Sequence, residues 1–474
     1  MKPSRERSRR QESASLFGKV TDTARLPLGS GNWGTGTEQL PIVNAARPER
    51  RQRRRTKWRR WLLALSLLLL LAITVMRQGN GRLGAYAADM LRATLGPTAT
   101  AQIESQYLGA TDGAHQLLYR FGIEHASAPW ASSSAAPPSQ GHSLSGAASS
   151  SASPVAAQAT PTVAPQLNAG VPPTDPQRSI VTPVSSSSPS PMPLPSIAPL
   201  ITPSLPGEGV WTTSGLAPAA KNGMPLDAKT FWRPDPARPY AIVTFLQFDL
   251  RYTRLHMVAG IDQPGGPVGK HGSGTIPVAD QQPGTLVAAL NGGFKYADGA
   301  YGMMVDGTVY VPPVHGSGTI AITRDGSVII GNWGVDPALS ESNSNLVAWR
   351  QNGPLLLDHG SINTLTNNDS AWGITLNSVH TWRSGIGITK SGTLIYAAGN
   401  AITAKALAEA FRAAGAVTAI QTDINPLWVR AFTYGRDASG QLSIARLQPG
   451  MQGSGWEYLK GDSRDFFYLT RPSG

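Results

Sequence analysis

Short apolar runs separated by turn residues dominate the chain from residue 209 to its end. Runs of this length are typical of β-strands rather than helices, and they lie at 240–248, 255–259, 286–290, 301–311, 319–323 and 327–330. Asp-Gly pairs at 298–299, 306–307 and 325–326 are typical of tight turns. The pattern therefore predicts a strand-rich domain.

One late segment has helical spacing instead. Between Thr403 and about Ala414, apolar residues recur on one helical face, and Gly415 follows as a stop signal. The helix lies between two strand-like runs, 393–398 and 417–421. Strands joined through a helix are usually parallel, so we expect parallel strands here and antiparallel strands elsewhere. The predicted fold class is α+β, with a strand-rich mixed sheet and a late strand–helix–strand unit.

A different pattern occupies residues 61–76, an uncharged and Leu-rich run of 16 residues. As a helix it would span about 24 Å, close to the roughly 30 Å hydrocarbon core of a bilayer once flanking arginines reach the interfaces. The run follows a strongly basic segment, so the positive-inside rule places residues 1–60 in the cytoplasm. We expect a single-pass anchor with the rest of the chain outside. A cleavable signal is the alternative, since Ala85-Tyr-Ala87 has the small-x-small form, but it lies far beyond the apolar run.

Composition divides the chain between the anchor and the strand-rich domain. Residues 78–130 carry scattered apolar positions that predict short amphipathic helices broken at Gly96-Pro97. Residues 131–208 are rich in Ser, Pro and Ala and predict a disordered linker that contributes no apolar surface to the domain. The domain itself is then expected at 209–474 and to fold alone.

The net charge of +12 does not indicate a nucleic-acid partner. Residues 1–60 hold 16 of the 41 Lys and Arg residues and 5 of the 29 Asp and Glu residues. The remaining chain is nearly neutral and offers no basic surface for DNA or RNA. The chain has no cysteine, no phosphate-binding P-loop and no His-Glu-x-x-His motif, so no cofactor and no metal site are predicted.

Two loops that contain histidine are interpreted as ordinary turns rather than as catalytic sites. The hexapeptide His-Gly-Ser-Gly-Thr-Ile occurs at 271–276 and again at 315–320. Neither copy has the Gly-x-Ser-x-Gly form of a nucleophile elbow, so a glycine turn entering a strand is the simpler interpretation. Lone His359 and His380 are likewise interpreted as loop residues.

Three polar residues stand where predicted strands end. Asn291 closes the run 286–290, Arg383 precedes a Ser-Gly and a strand, and Asp423 follows the run 417–421. Ligands collect at the carboxyl ends of parallel strands, so the three side chains are predicted to converge on one polar ligand. Gly292 and Gly293 would let that ligand lie against bare backbone.

These stretches resemble the phosphodiester glycosidases, the uncovering-enzyme family that removes N-acetylglucosamine from sugar-1-phosphodiesters. The resemblance covers roughly 240–435 and rests on Asn-Gly-Gly-Phe at 291–294, the stretches 301–307, 350–354 and 383–387, and the strand ending in Asp423. Members of the family continue after that strand with Asp-Gly-Gly-Gly-Ser, whereas this chain has Asp423-Ile-Asn-Pro-Leu427. The carboxylate is kept and the glycine loop is lost.

The resemblance implies cleavage of a sugar-1-phosphodiester at the anomeric carbon, with a phosphate monoester leaving. The resemblance implies that Arg383 holds the phosphate. It also implies that Asp423 activates water or stabilises the oxocarbenium ion. Asn291, Gly292, Gly293, Ser384 and Asn425 are expected to bind substrate, and Asp306 is a weaker second carboxylate because an Asp-Gly pair usually forms a turn.

Two other functions stay open from the sequence. A non-catalytic glycan-binding module of the cell envelope would explain the lost glycine loop but not the retention of both Arg383 and Asp423. An envelope spacer without a ligand would not explain the three polar residues. The expected partners are a glycan or sugar-phosphate substrate and, through 61–76, the membrane.

Overall fold

A computed structural model describes residues 90–130, 192–216, 224–368, 371–372 and 378–471. Its helices are α1 (Pro97–Arg120), α2 (Ala404–Ala413) and α3 (Glu457–Lys460). Its strands are β1 (Asp227–Trp232), β2 (Val243–Phe248), β3 (Arg254–Val258), β4 (Leu286–Asn291), β5 (Met303–Val305), β6 (Thr308–Val311), β7 (Gly318–Thr323), β8 (Val328–Asn332), β9 (Leu346–Gln351), β10 (Leu355–Asp358), β11 (Ser361–Ile362), β12 (Thr381–Thr389), β13 (Leu394–Ile402), β14 (Ala416–Ile424), β15 (Ala431–Arg436), β16 (Leu442–Arg446) and β17 (Phe466–Thr470).

The strands form three sheets. The first has the order β1-β2-β13-β12-β14-β10-β11, the second β16-β15-β4-β17-β3, and the third β6-β5-β9-β7-β8. The prediction of a strand-rich domain is confirmed, and Asp306-Gly307 and Asp325-Gly326 lie in the turns of the β5–β6 and β7–β8 hairpins as expected.

The predicted mixed sheet is wrong. Every pairing between named strands of the described residues is antiparallel. The helix α2 does connect β13 and β14, which run in the same direction, but β12 lies between them and pairs antiparallel with each. Sequence order shows that a helix joins two strands and cannot show that an earlier strand is inserted between them.

The first sheet carries one apolar cluster on each face, as the period-2 alternation of strand side chains requires. On one face, Phe245, Ile395 and Ala397 pack with Leu407 and Phe411 of α2. On the other face, Leu246, Tyr396 and Ala398 pack in a cluster shared with strands of the second and third sheets. The helix itself begins at Thr403, whose Oγ1 accepts a hydrogen bond from the N–H of Ala406 at 3.1 Å.

Glycines in β12 allow α2 to approach the sheet. A Cβ at Gly385 would lie 2.8 Å from the ring of Phe411, and a Cβ at Gly387 would lie 2.9 Å from the same ring. The Arg-Ser-Gly-Ile-Gly stretch, whose Arg383 and Ser384 are predicted to contact substrate, therefore also serves helix packing.

Residues 192–198, within the predicted linker, pack against the strand-rich domain. Met192 and Ile197 are buried in the cluster that contains α2. The indole N–H groups of Trp211 and Trp232 donate to the carbonyl oxygens of Pro195 and Ala198, at 2.9 and 3.0 Å. Proline-rich backbone has free carbonyls that aromatic residues with an N–H donor can bind, so this part of the predicted linker does contribute apolar surface.

The segment 90–130 also contacts the domain. A helical stretch at 90–95 is followed by Gly96 with φ of 82° and then by the single long helix α1. Asp112 of α1 accepts hydrogen bonds from Arg238 and Tyr240, and the Trp130 N–H donates to the Leu447 carbonyl at 2.8 Å. We therefore expect the domain to depend on these contacts, contrary to the expectation that 209–474 folds alone.

No helix within these described ranges is long and apolar enough to cross a bilayer. The predicted anchor at 61–76, the basic tail at 1–60 and linker residues 131–191 lie outside the described residues.

Candidate active site

Strand pairing in the second sheet brings distant residues to one edge. In the β4–β17 pair Asn291 lies opposite Phe466, so Asp465 stands beside Gly292. In the β15–β4 pair Leu290 lies opposite Ala431, and the N–H of Asn291 donates to the Arg430 carbonyl at 2.9 Å. The end of β14, with Asp423, reaches the same edge from the first sheet.

A pocket of about 210 Å³ lies at this edge. That volume includes space open to solvent. Its lining includes three residues that the sequence predicted, Asn291, Gly292 and Asp423, and six that it missed, Trp428, Arg430, Tyr458, Asp462, Arg464 and Asp465.

Asp423 is buried beside a cation. Its Oδ2 accepts a hydrogen bond from Nη2 of Arg464 at 2.8 Å, and its Oδ1 accepts one from the N–H of Ile424 at 2.8 Å. Burial raises the pKa of Asp423 to about 7, while the Arg464 charge and the Ile424 N–H oppose that rise. A carboxyl group that titrates near neutral pH can exchange a proton during a reaction.

One hydrogen-bond donor of Arg464 has no partner among the described residues. Its Nη2 also donates to the Gly293 carbonyl at 2.7 Å, while its Nε, buried, has no hydrogen-bond partner among the described residues. An unused buried N–H donor costs free energy unless a ligand or water accepts from it. The Nε of Arg464 is therefore a donor that the described residues leave unused.

Positive charge collects around the Trp428 indole. The guanidinium groups of Arg464 and Arg430 lie 4.6 and 5.2 Å from its ring centre, and Nζ of Lys295 lies 5.3 Å away. Arg430 is also paired with Asp462 at 3.0 Å. The sequence did not predict this cluster of cations, in which Arg464 is paired with Asp423 and Arg430 with Asp462.

Asn291 lines the pocket but is held by the protein. Its Oδ1 accepts hydrogen bonds from Ser384 Oγ, Tyr396 Oη and the Arg430 N–H at 2.7–3.2 Å. Its Nδ2 donates to Thr422 Oγ1 and the Gly292 carbonyl. Burial raises the pKa of Tyr396, so this phenol is a fixed donor. Asn291 and Ser384 thus tie β4, β12, β13 and β14 together at the pocket wall.

The two glycines after Asn291 make room for protein atoms. A Cβ on Gly292 would lie 2.2 Å from Oδ2 of Asp465, and a Cβ on Gly293 would lie 2.7 Å from Cζ of Arg350. Arg350 and Asp465 themselves form a buried ion pair at 2.9 Å. Asp465 and Arg350 thus fill the space that a Cβ would need at these positions, and the expectation that a ligand lies against 292–293 stays a prediction.

The stretch 350–354 braces the same region. The Asn352 Oδ1 accepts from the N–H of Phe294 at 2.8 Å, and its Nδ2 donates to the carbonyls of Gln421 and Thr422 at 2.6 and 2.7 Å. Asn352 thereby links the Asn-Gly-Gly-Phe turn to the strand that carries Asp423. This explains why these separated motifs occur together in one chain.

Arg383 does not line the pocket. It is fully buried, and its guanidinium donates to the carbonyls of Ile402 and Val379 at 3.1 and 3.0 Å. It also donates to Oε1 of Gln421 at 3.4 Å. These contacts join β12 to neighbouring backbone, so the geometry gives Arg383 a structural position, and its predicted phosphate contact stays a prediction.

The remaining predicted residues are placed apart from the pocket lining. Asp306 is exposed in the β5–β6 turn with φ of 48°, the turn role that the sequence analysis considered more usual. Asn425 follows β14 with φ of 90°, and its Oδ1 accepts from the N–H of Leu427 at 2.9 Å. Asn tolerates positive φ better than most residues, so Asn425 can hold the tight turn here.

The missed residues carry only a weak signal in the local sequence. Arg430, Asp462, Arg464 and Asp465 each stand immediately before or near a strand start, and Trp428 lies between Asp423 and Arg430. Nothing in the local sequence distinguishes them from surface charges, because only the β15–β4–β17 pairing brings them to Asn291. Among the described residues, no group of three or more His, Asp or Glu side chains has metal-binding geometry.

Comparison with known proteins identifies one family. The phosphodiester glycosidase family profile matches residues 284–423. No curated protein matches.

Three solved structures are similar in parts. The zebrafish N-acetylglucosamine-1-phosphodiester alpha-N-acetylglucosaminidase catalytic domain is 16% identical, over 54% of this chain and 86% of that one, with a TM-score of 0.33. A Synechocystis protein is 14% identical, over 49% and 59%, with a TM-score of 0.31. A Burkholderia pseudomallei protein is 10% identical, over 49% and 74%, with a TM-score of 0.26. On the family match, which spans the Asn-Gly-Gly-Phe turn through Asp423, this chain carries a domain of the phosphodiester glycosidase family.

Proposed function

We propose that this protein is a membrane-anchored, extracytoplasmic glycosidase that hydrolyses a sugar-1-phosphodiester. The observation that carries the proposal is the buried Asp423 carboxyl, with its pKa raised to about 7 and its Oδ2 bonded to Arg464 at the pocket. The anchor is residues 61–76, with the basic residues 1–60 in the cytoplasm and the family domain outside.

The reaction needs a base more than a strong acid. The leaving group is a phosphate monoester, whose second pKa is about 6, so it departs more easily than a sugar hydroxyl. In the proposed step, a water oxygen forms a bond to the anomeric carbon as the carbon–oxygen bond to phosphate breaks. The bonding electrons stay on the phosphate oxygen, and the water proton passes to Asp423. Ordinary glycosidases use a second carboxyl group as the acid, which this leaving group does not require.

Arg464 is the proposed phosphate contact, with Arg430 and Lys295 contributing positive charge. The unused Nε of Arg464 and the three cations around Trp428 support this assignment. A guanidinium binds phosphate with paired N–H donors. Because Arg464 also contacts Asp423, one residue would hold the leaving group and keep the base oriented.

The test is sugar release from a defined substrate by the full-length chain in detergent. N-acetylglucosamine 1-(methyl phosphate) serves as probe, and free reducing sugar and methyl phosphate are both measured. Asp423→Asn should lose about 10²–10⁴-fold in turnover, the usual contribution of a positioned acid or base. The matched control is Asp306→Asn, an exposed turn carboxylate that should leave activity unchanged.

Isotope labelling fixes which bond breaks. In water enriched in oxygen-18, attack at the anomeric carbon places the label in the sugar, whereas attack at phosphorus places it in the phosphate. Label in the phosphate would contradict the proposal. Tight glycan binding without hydrolysis of any sugar-1-phosphodiester would replace it with the glycan-binding module.

A further inference from the structure

Helix α1 faces the domain with polar and aromatic side chains. Asp112 accepts hydrogen bonds from Arg238 at 2.9 Å and from Tyr240 at 3.0 Å. The rings of His115 and Tyr119 lie 6.0 and 5.7 Å from the Tyr240 ring. These contacts fix the rotation of α1 about its axis.

The opposite face of α1 is apolar and exposed. Its large residues Ile103, Tyr107 and Leu117 are 48%, 46% and 54% exposed, and Phe121, which follows the helix directly, is 76% exposed. Ala110 and Ala114 between them are exposed too. None of the six belongs to a core cluster of the described residues. A helix that turns charged and polar groups inward and apolar groups outward is the reverse of the usual arrangement, so another surface must cover it in the working protein.

The spacing of these residues is that of a two-helix seam. Positions 103, 107, 110, 114, 117 and 121 alternate steps of four and three, the a and d positions of a heptad repeat. At 3.6 residues per turn they fall within an arc of about 80° centred opposite Asp112. The small Ala110 and Ala114 at the middle let two helix backbones approach closely, with larger side chains at either end.

We infer that a second copy of this chain covers the seam, with the two α1 helices side by side and parallel. The chain's own segment 131–191 is a poor occupant because it contains no aromatic residue and is mainly Ser, Pro and Ala. A lipid surface is disfavoured because Arg120 is the only Lys or Arg in α1, against Glu104 and Asp112, whereas helices that lie on membranes carry many basic residues.

The parallel orientation rests on the proposed anchor. Only residues 77–96 separate that anchor from α1, so two copies in one membrane would present their helices from the same side and in the same direction. Confinement to a membrane also raises the effective concentration of one copy near another. The domain lies on the opposite side of each α1, where it leaves the seam clear.

The absence of cysteine from the sequence makes a direct test possible. Single substitutions Leu117→Cys and Ala110→Cys are made in the full-length chain, which is then oxidised mildly in its membranes. In a parallel pair, identical positions of the two helices face each other, and a disulfide requires the two Cα atoms to come within about 7 Å. Both variants should yield a disulfide-linked dimer.

The matched control is Gln102→Cys, which is equally exposed on α1 but about 100° away from Ile103. It should yield little dimer. Absence of dimer at Leu117→Cys and Ala110→Cys, or equal dimer in all three variants, would overturn the inference. A linked dimer at Ala110→Cys alone would overturn the parallel arrangement, since Leu117 residues lie far apart in an antiparallel pair.

Two further measurements separate the alternatives. An environment-sensitive fluorophore on the Leu117→Cys variant should not respond to added phosphatidylglycerol vesicles; a blue shift without disulfide formation would assign the face to lipid instead. Sugar release by each variant is measured in parallel, because none of these residues lines the pocket. Loss of the dimer with activity retained would refute the inference alone, whereas a linked dimer without hydrolysis would refute the proposed function alone.

Discussion

Replacing Asp423 with Asn should make the protein less active and, above neutral pH, more stable. The pKa of Asp423 is raised by burial from its ordinary value of 3.8 to about 7. The folded chain therefore holds this proton more tightly than the unfolded chain does. The stability that Asp423 contributes is fully present below pH 3.8 and is lost as the pH rises through about 7.

The size of the effect follows from the pKa difference. Each pH unit between 3.8 and 7 corresponds to about 1.4 kcal/mol, so ionised Asp423 costs the folded state about 4 kcal/mol at pH 8 relative to its protonated form. The side-chain amide of the Asp423→Asn variant has no such proton to lose, and the variant should therefore escape this cost. Its free energy of unfolding, compared with that of the parent, should rise by about 4 kcal/mol between pH 4 and pH 8.

Urea unfolding at a series of pH values, followed by tryptophan fluorescence, measures this difference. Comparing the two proteins at two pH values removes the constant effect of exchanging a carboxyl for an amide beside Arg464. Asp306→Asn, at an exposed carboxyl in a turn, is the matched control and is measured in the same way. In the parent, kcat/KM should rise through an apparent pKa of about 7 as the base ionises.

Parallel stability curves for parent and Asp423→Asn would refute the reasoning. They would mean that Asp423 has an ordinary pKa in the folded chain, and its placement as a proton acceptor poised near neutral pH would then fail. A loss of activity accompanied by a loss of stability at every pH would assign Asp423 a structural role instead. Gain of stability with loss of activity is the combination expected of a catalytic group.

Three further predictions concern the site wall and the topology. Gly292→Ala places a methyl group 2.2 Å from Asp465 and should lower the free energy of unfolding in urea by about 1–3 kcal/mol, whereas the control Gly109→Ala, in open space on α1, should not lower it. Arg383→Lys should destabilise the protein by about 2–4 kcal/mol, because buried carbonyls lose their donors, while KM for the sugar-1-phosphodiester stays unchanged. A raised KM with an unchanged melting temperature would instead restore the predicted phosphate contact of Arg383. Protease added to intact cells should release the family domain by cuts within 131–191 and leave residues 1–60 intact until the cells are permeabilised; protection of the domain would contradict the proposed anchor.

Local sequence patterns were sufficient to predict strands, a turn and the helix α2 of the domain. Short apolar runs identified β4 and β7, the Asp306-Gly307 pair identified a hairpin turn, and Thr403 with Gly415 bounded α2 to within one residue. These features depend on side chains within a few positions of each other, where the strand period, a turn residue or a helix cap is decided. Asp423 was likewise identified because it stands at the end of an apolar strand.

Only tertiary structure decided how the strands are ordered. The insertion of β12 between β13 and β14 made the first sheet antiparallel, and the sequence order of a strand, a helix and a strand contains no sign of it. Strand order depends on which apolar faces fit together across the core, and that depends on residues far apart in the chain.

The pocket was decided in the same way. The sequence predicted Asn291, Arg383 and Asp423 as one site. In the structure, the pairing of β4 with β15 and β17 brings Arg430 and Asp465 to Asn291. Arg383 is instead bonded to backbone carbonyls. The two glycines after Asn291 were conspicuous in the sequence, but what they make room for was fixed by Asp465 and Arg350. A sequence determines that side chains must be absent at a position, whereas the long-range register of the strands determines which atoms occupy the space.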